Sequence, residues 1–497
     1  MEKHGLDGKV SRRQLLKWAG IGTAGALLAA CQPQIVEVEK EVTKVVEVTK
    51  IVKEVVKETV MVAGTPKVVE REITKIVKEE VEKVVTATPA PPKEIEMLFT
   101  CGWGAGMHGD SNVTLGDMYM ERNPHAKLEV LPGTNMNKVL TMIAGGTPPD
   151  VFHNYYCNMA QLGYQGTVIP IVPYIDASVP AAYDNFGEWE WYLAYRAGQL
   201  YAVPYKAWNS RGALAWNGRL LERAGLDPDT SPKTVEEFLD MAVKATVFDD
   251  AGNIDVLGWS PETVLEIWSH PMDVSWYDPV RRKFHIYQEA FVKLWKQFKA
   301  YSDELGGFEK IGGWGAANVG QTGMFTEKLV FYQGQTWVPG NILQNAPEVW
   351  PHWRHDFLPS AKGLKTIQTA GHMLAIPREA PDPDASWPLI EFFCASMEAG
   401  NLFWDLLGGC YPWKPWQEKT DFSARPQFQW YMNAPSLADI VSPRWPREVC
   451  AYVGNPLGLE NSAFEAVLTG QLEVEEALER LEKETQALLD QAVAEYG

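Results

Sequence analysis

The pattern of hydrophobic and polar positions changes along the chain. From Glu94 onward, short apolar runs alternate with longer amphipathic segments, which is typical of α/β proteins. The first predicted elements are a strand at 96–100, a helix at 115–122, a strand at 127–131, a helix at 137–144 and a strand at 150–153. This succession predicts a parallel sheet with right-handed crossovers. Ligands of such sheets bind beyond the carboxyl ends of strands, so the segments after Phe99 and Val151 are candidates.

The segment before this body has a different pattern. Residues 35 to about 85 repeat Val, Glu, Lys and Thr and contain no aromatic residue. The near-heptad spacing of valines at positions such as Val38, Val45 and Val52 allows a helix, while β-branching fits a strand. Both conformations remain open from the sequence. Residues 86–92 are rich in proline and predict an extended spacer. We therefore expect a stalk and linker over 31–94.

The first 30 residues are typical of an export signal. Arg12 and Arg13 precede an uncharged stretch at 18–30, which is too short to span a membrane. The paired arginines resemble a twin-arginine signal, and residues 28–31 resemble a lipobox that ends in Cys31. Cleavage before Cys31 would leave a lipidated cysteine. Because two acyl chains suffice for stable anchoring, we expect an extracytoplasmic protein anchored to the cell membrane.

Composition excludes several other classes of protein. The formal charge of −19 disfavours binding to nucleic acid. No other stretch is long and apolar enough to predict a transmembrane helix. The cysteines other than Cys31 are odd in number and show no CxxC spacing, so no metal site or redox centre is predicted and disulfide pairing stays undecided. No cofactor is predicted either.

Several segments of the body follow one another in an order that resembles the bacterial extracellular solute-binding proteins of the maltose-binding type, family 1. Residues 144–151, AGGTPPDV, are similar to the family's "AGGxxPDV" segment, and residues 232–238, PKTVEEF, to "P-x-T-W-x-E-F" with Val235 in place of Trp. The other similar segments are 166–171, 200–205, 213–217, 221–227, 371–376 and the helix predicted at 470–489. The resemblance covers nearly all of the body.

This resemblance implies two α/β lobes joined by a hinge, with a solute held in the cleft between them for an ABC importer. Lobe one would comprise 95–212 and 358–410, and lobe two 213–357 and 411–497. Closure of the lobes around a ligand would signal the loaded state. The chain has 20 Trp residues, and aromatic faces with a few fixed polar groups favour a sugar or oligosaccharide as the solute.

The candidate ligand contacts lie on loops at the mouth of the expected cleft. They are Trp103, His108, His153, Asn154, Trp208, Asn209, Trp337, His372 and Trp413. The glycine-rich loop at 102–109, which carries Trp103 and His108, is not expected to open a helix as a dinucleotide-binding loop would. Trp337 resembles a family position that often stacks on ligand.

Three alternatives to a sugar receptor are weighed. A secreted carbohydrate-cleaving enzyme would need two carboxylates at a defined separation, and Asp184, Glu188 and Glu190 form an acidic neighbourhood. No Gly-x-Ser-x-Gly elbow supports serine hydrolysis. A receptor for a peptide or another polar solute would share the fold, because the fold does not specify the cleft. A purely structural surface-layer role would explain the stalk but not the pattern of the body. We expect a receptor and no enzyme.

Overall fold

A computed structural model describes residues 43–62, 65–84, 94–192, 194–196, 198–261, 265–318, 322–407, 411–443, 449 and 457–496. Arg12 and Arg13 of the predicted signal, the predicted lipidation site Cys31 and the spacer at 86–92 lie outside these residues. The chain divides into two units, Met1–Pro92 and Lys93–Gly497, and each is described by itself.

The first unit contains a ribbon of two antiparallel strands, β1 (Thr43–Val62) and β2 (Thr65–Val84). All 20 residues of each strand are paired. The described residues therefore adopt the extended conformation of the two that the sequence left open, which suits a segment rich in Val, Ile and Thr. Lys57 forms an ion pair with Glu70 across the ribbon at 2.9 Å.

The second unit contains two larger sheets and two short hairpins. Its strands are β3 (Ile95–Thr100), β4 (Ala126–Leu131), β5 (Val151–Tyr155), β6 (Tyr195–Arg196), β7 (Gln199–Leu200), β8 (Val203–Arg211), β9 (Ala213–Asn217), β10 (Val247–Phe248), β11 (Ile254–Trp259), β12 (Tyr277–Asp278), β13 (Lys283–Phe284), β14 (Leu329–Gly334), β15 (Trp353–Phe357), β16 (Thr366–Ala375) and β17 (Ile440–Pro443).

The first sheet has the strand order β17, β16, β5, β3, β4, and β8 pairs with β16 as well. Strand β3 is parallel to both β4 and β5, as the alternation of strands and helices predicts. Met97 and Phe99 of β3 are buried, whereas Glu96 is exposed and Leu98 is half-buried, so the strand packs one face into the core. The second sheet has the order β10, β11, β14, β9, β15, in which β11 and β14 are parallel.

Helices cover both sheets of the second unit. Their bounds are Met107–Arg122, Met136–Ala144, Tyr156–Tyr164, Val172–Ala177, Glu188–Tyr192, Gly218–Arg223, Val235–Ala245, Leu265–Ser269, Glu289–Glu304, Phe308–Ala317, Thr322–Phe325, Val338–Asn345, Pro383–Cys394, Met397–Leu407, Lys414–Gln417, Pro426–Leu437, Leu457–Leu468 and Val474–Tyr496, with 3-10 turns at Tyr183–Asn185, Trp350–His352 and Phe422–Ala424. Among the described residues, no helix is long and apolar enough to span a membrane.

One expectation about the glycine-rich loop is wrong. A helix begins at Met107, inside the loop, and not at residue 115. Gly109 and Gly116 explain the difference. Glycine has a low helix propensity, so the sequence pattern does not predict a helix here, but its small size allows close packing. A Cβ atom on Gly109 would lie 1.8 Å from the carbonyl oxygen of Gly104, and one on Gly116 would lie 2.6 Å from the Val130 side chain. His108 therefore sits in the first turn of this helix.

The chain passes from the first sheet to the second at Gly212, between β8 and β9. Gly212 has a φ of 86°, a left-handed conformation that glycine adopts without strain. The chain returns to the first sheet between β15 and β16, and β17 adds a further strand to that sheet from the last part of the chain. These crossings connect two α/β sheets within the unit, as expected of a two-lobed solute-binding fold. The exact lobe boundaries stay a prediction.

Candidate functional site

Four of the predicted contact residues meet at the carboxyl ends of β3 and β5. The Trp103 ring lies 4.0 Å from the His153 ring and 4.3 Å from the His372 ring, measured between centroids. His108 stacks on Trp103 at 4.8 Å, and His153 stacks on His372 at 4.7 Å. Strand pairing explains the convergence, because His372 of β16 lies opposite the end of β5. The faces of Trp103 are thus in contact with imidazole rings.

A lysine that the sequence analysis did not select joins this group. Lys206 of β8 is 1% exposed, and its Nζ lies 4.5 Å from the Trp103 ring centroid and 4.2 Å from that of Phe403. The same atom donates a hydrogen bond to Ser111 Oγ at 3.1 Å. Cation–π contacts of this kind are strongest where water is excluded. We call Trp103, His108, His153, His372 and Lys206 the histidine cluster.

Burial keeps the histidines of the cluster neutral. It lowers the pKa of His108 to about 3, and it lowers the pKa values of His153 and His372 well below the ordinary range. The positive charge of Lys206 acts in the same direction on all three. His153 Nδ1 accepts a hydrogen bond from the Gly102 N–H at 3.2 Å, so its proton belongs on Nε2. The three imidazoles are therefore neutral at neutral pH.

Two members of the histidine cluster also line a small pocket with room for about 20 Å³, which we call the first-sheet pocket. Lys206 and His372 form part of its wall together with backbone and small side chains of β8 and β16. Trp189 lines the pocket as well and is 41% exposed, so a ring face is available to a ligand. The pocket thus combines a buried cation, an imidazole and an exposed indole. Such a set suits a ligand with both hydroxyl groups and an apolar face.

Glu190 supplies the acidic group of the first-sheet pocket. Burial raises the pKa of its carboxyl group, and the positive charge of Lys414 partly opposes this shift. Asp184 and Glu188, the other acids of the predicted neighbourhood, are exposed and do not line the pocket. Among the described lining residues Glu190 is the one carboxylate, so the pair of carboxylates used in glycoside hydrolysis is not assembled there.

Asn154 lies beside the histidine cluster on β5. Its Oδ1 accepts hydrogen bonds from Asn158 Nδ2 and from the N–H of Tyr155, both at 2.7 Å, so it is occupied within the protein. Trp208 and Asn209 belong to β8, where Trp208 pairs with Ala370 near His372. Their side chains lie outside the described part of the structure.

Trp337 and Trp413 are separate from the histidine cluster. Trp337 is 8% exposed, contacts the Tyr332 ring edge-on at 5.7 Å and donates through Nε1 to Gln335 at 3.2 Å. Trp413 is also buried, and its Nε1 donates to the Pro180 carbonyl at 2.9 Å. Both indoles thus have internal partners, and their contact with a ligand stays a prediction.

Sequence patterns contained a signal for the missed residue Lys206. It is the one charged residue in the otherwise apolar run at 200–208, LYAVPYKAW. A lysine in such a strand must be buried or must interrupt the sheet, and buried lysines need partners. Trp189 and Glu190 stood in the acidic neighbourhood, but no pattern indicated which of its side chains would turn toward a pocket.

The cysteines within the described residues are of two kinds. Cys101 and Cys394 are free and buried, whereas Cys157, in the helix Tyr156–Tyr164, is disulfide-bonded. A disulfide next to Tyr156, which lines the first-sheet pocket, fits a protein that folds in an oxidising compartment.

Comparison with protein families gives one match. Residues 114–415, more than half of the chain, match a family model described as bacterial extracellular solute-binding protein. The matched region contains β5, β8, β16 and most of the histidine cluster. No curated protein sequence matches the chain.

Solved structures share the fold at low sequence identity. CpMnBP1 with mannobiose bound has a TM-score of 0.68 and 22% identity, over 79% of this chain and 100% of that one. The GacH receptor of Streptomyces glaucescens, described unliganded and with acarbose, has a TM-score of 0.66 and 16% identity, over 80% and 98%. The maltose/maltodextrin-binding domain MalE from Bdellovibrio bacteriovorus, bound to maltotriose, has a TM-score of 0.63 and 14% identity, over 80% and 100%.

Proposed function

Because the chain belongs to the bacterial extracellular solute-binding proteins, we propose that it captures a carbohydrate outside the cytoplasm and delivers it to an ABC importer. The observation that carries the proposal is the first-sheet pocket, in which exposed Trp189 faces a space bordered by Lys206, Glu190 and His372. An indole face can stack on the C–H groups of a sugar ring, while an ammonium and a carboxyl group bind its hydroxyls.

The ligands of similar structures support the choice of carbohydrate. The structures named above were described with mannobiose, acarbose or maltotriose. Their identities to this chain are too low to transfer a particular sugar, since the fold is shared and the pocket is not. The proposal therefore names the class of solute and leaves the individual sugar to experiment. A peptide or another polar solute is the alternative that the same experiment tests.

We further propose that the protein is held at the outer face of the cell membrane by a lipid on Cys31, after export directed by Arg12 and Arg13. The strand ribbon and the proline-rich spacer at 86–92 would hold the binding unit away from the lipid surface. Mass spectrometry of the membrane fraction tests the anchor. A diacylglycerol adduct on Cys31 is expected, and an unmodified Cys31 at an intact N-terminus would contradict it.

Capture without chemical conversion is the activity that we propose. Micromolar binding corresponds to a net binding free energy of about −8 kcal/mol, which already includes the cost of closing the lobes. A few strong contacts are therefore required. Lys206 is the contact for which the largest contribution is expected, because hydrogen bonds to a charged group contribute about 1.5–3 kcal/mol each. Its removal should therefore weaken binding more than the removal of an exposed lysine.

The test is a calorimetric titration of the purified protein with a panel of mono- and oligosaccharides, with peptides and polyols alongside. A saturable signal from one class of sugar is expected. The Lys206→Met variant should bind that sugar about 10–100-fold more weakly, whereas Lys244→Met, at an exposed position that does not line the pocket, should bind as the natural protein does. Turnover of a glycoside, or binding of peptides alone, would overturn the proposal.

A further inference from the structure

A second pocket lies on the other sheet, away from the residues of the histidine cluster. It has a volume of about 240 Å³ and lies beyond the carboxyl ends of the parallel strands β11 and β14. Trp259 and Ser260 border it at the end of β11, and Tyr332 and Gln333 border it on β14. This volume is near the lower end of the range of pockets that bind small molecules. We call it the second-sheet pocket.

The described residues that line the second-sheet pocket carry no charge. The described part of its wall consists of aromatic, amide, hydroxyl, glycine and leucine groups. A carboxylate or ammonium group placed there would lose its water without gaining an opposite charge, which is costly. The first-sheet pocket differs in this respect, because Lys206 and Glu190 line it.

The amide of Asn318 has a fixed orientation in the second-sheet pocket. Its Nδ2 donates to the Trp314 carbonyl at 3.0 Å, at the end of the helix Phe308–Ala317. Oδ1 therefore points away from this bond and can accept a hydrogen bond from a ligand. Nearby, Trp314 is 8% exposed, and its indole Nε1 is buried without a hydrogen-bond partner in the described part of the chain. A ligand rich in hydroxyl groups can satisfy donors and acceptors alike.

Aromatic rings provide the remaining contacts of this pocket. Tyr332 is half-buried, lines the pocket and is held by the edge-on contact with Trp337. The Trp314 ring packs so close to Gly323 that a Cβ atom there would lie 2.8 Å from it. Gly323 thus leaves room for the indole at the pocket wall. Rings beside amide and hydroxyl groups form a surface that suits the C–H face and the hydroxyls of a neutral sugar.

From these features we infer that the second-sheet pocket binds an uncharged sugar unit and selects neutral sugars over sugars that carry an amino or carboxylate group. The inference rests on the proposed function and deepens it, because it names the charge class of the solute. Asn318 is the residue through which the selection can be altered, since its replacement by Asp has nearly the same shape and adds one negative charge.

The experiment compares Asn318→Asp with Asn345→Asp in the full-length protein. Asn345 is the matched control, because its Nδ2 also donates to the carbonyl four residues earlier, at 2.8 Å, but it is exposed and does not line the pocket. Calorimetry measures binding of mannobiose, maltotriose and the glucosamine disaccharide, which is a cation at neutral pH. The quantity compared is the ratio of affinities for the better neutral sugar and for the glucosamine disaccharide.

The natural protein should bind the neutral sugar at least tenfold more tightly than the glucosamine disaccharide. Asn318→Asp should reduce this ratio at least fivefold, and Asn345→Asp should leave it unchanged. If a neutral sugar binds but both variants keep the ratio of the natural protein, the inference is wrong and the proposed function stands. If none of the sugars binds the natural protein, the proposed function fails and the inference fails with it.

Discussion

The first-sheet and second-sheet pockets both border α/β sheets, but the groups that line them differ in charge. Each borders the strands of an α/β sheet, where ligands of this architecture bind. The first pocket is small, with room for about 20 Å³, and is backed by a buried lysine and closely stacked imidazoles. The second has a volume of about 240 Å³, and its described lining residues are neutral and combine polar and aromatic groups. The two differ in charge and crowding more than in position on their sheets.

This difference suggests that the two pockets determine different properties of binding. Buried charge and tight ring stacking fix geometry, because a displaced lysine would lose its partners in a medium of low dielectric constant. A neutral and larger pocket tolerates variation in the ligand. We therefore expect the first-sheet pocket to set the strength of binding and the second-sheet pocket to set its selectivity for charge. Each prediction below separates the two pockets by a property that one has and the other lacks.

The largest expected effect is on stability in acid, because the first-sheet region contains buried neutral histidines, whereas the described lining of the second-sheet pocket contains no histidine or carboxyl group. The folded-state pKa values of His108, His153 and His372 are lowered, so the unfolded chain binds more protons below its ordinary histidine pKa of about 6.5. Stability is therefore present at neutral pH and is lost as pH falls. Between pH 6.5 and 5.0 each histidine that stays neutral in the folded protein costs about 1.6 kcal/mol, so three cost about 5 kcal/mol.

Urea denaturation at a series of pH values measures this effect. His153→Asn should reduce the slope of unfolding free energy against pH by about one third, although its stability at pH 7 also changes. His285→Asn, at an exposed position, serves as the control and should leave the slope unchanged. A slope that His153→Asn does not alter would show that the cluster is already protonated, or open to water, in the folded protein.

The next largest effect concerns Trp337, which supports the second-sheet pocket through Tyr332. Because the indole is 8% exposed and packed, Trp337→Ala should lower the free energy of unfolding by about 3–5 kcal/mol. Thermal and urea denaturation measure the loss, and Trp337→Phe should recover part of it. If Trp337 instead stacks directly on the solute, as the family resemblance implies, the affinity would fall while the stability changed little.

The sequence predicted the framework of the first sheet more fully than its site. Alternating strands and helices gave β3, β4 and β5 and their parallel order, since each depends on local patterns and short connections. Trp103, His108 and His153 could be selected because they lie at or soon after the ends of the predicted strands, and His372 because it lies in a segment that resembles the family. Their contact with one another depends on the pairing of β16 with β5 across more than 200 residues, which no local pattern contains.

Other parts of the site could not be predicted from the sequence, and the physical reasons differ. The helix at Met107 begins among glycines, which disfavour helix locally and are retained because the packing needs their small size. The second-sheet pocket combines β11, β14 and the end of the helix Phe308–Ala317, so its neutral lining is a property of the assembled fold. Trp337 could be named from its neighbours in sequence, whereas its burial against Tyr332 depends on the tertiary structure.

The smallest expected effect tests whether Trp189 acts as the stacking surface of the first-sheet pocket. Its ring is 41% exposed, so its removal creates no core cavity, and the free energy of unfolding should change by less than about 0.5 kcal/mol. Loss of stacking on a sugar should weaken binding by about 0.5–1.5 kcal/mol, or up to about tenfold. Calorimetry of Trp189→Ala against Tyr183→Ala, an exposed ring that does not line the pocket, measures this difference. Equal affinities in the two variants would mean that the solute's apolar face lies elsewhere, and the second-sheet pocket, with Tyr332 and Trp314, would then have to supply the stacking as well as the selectivity.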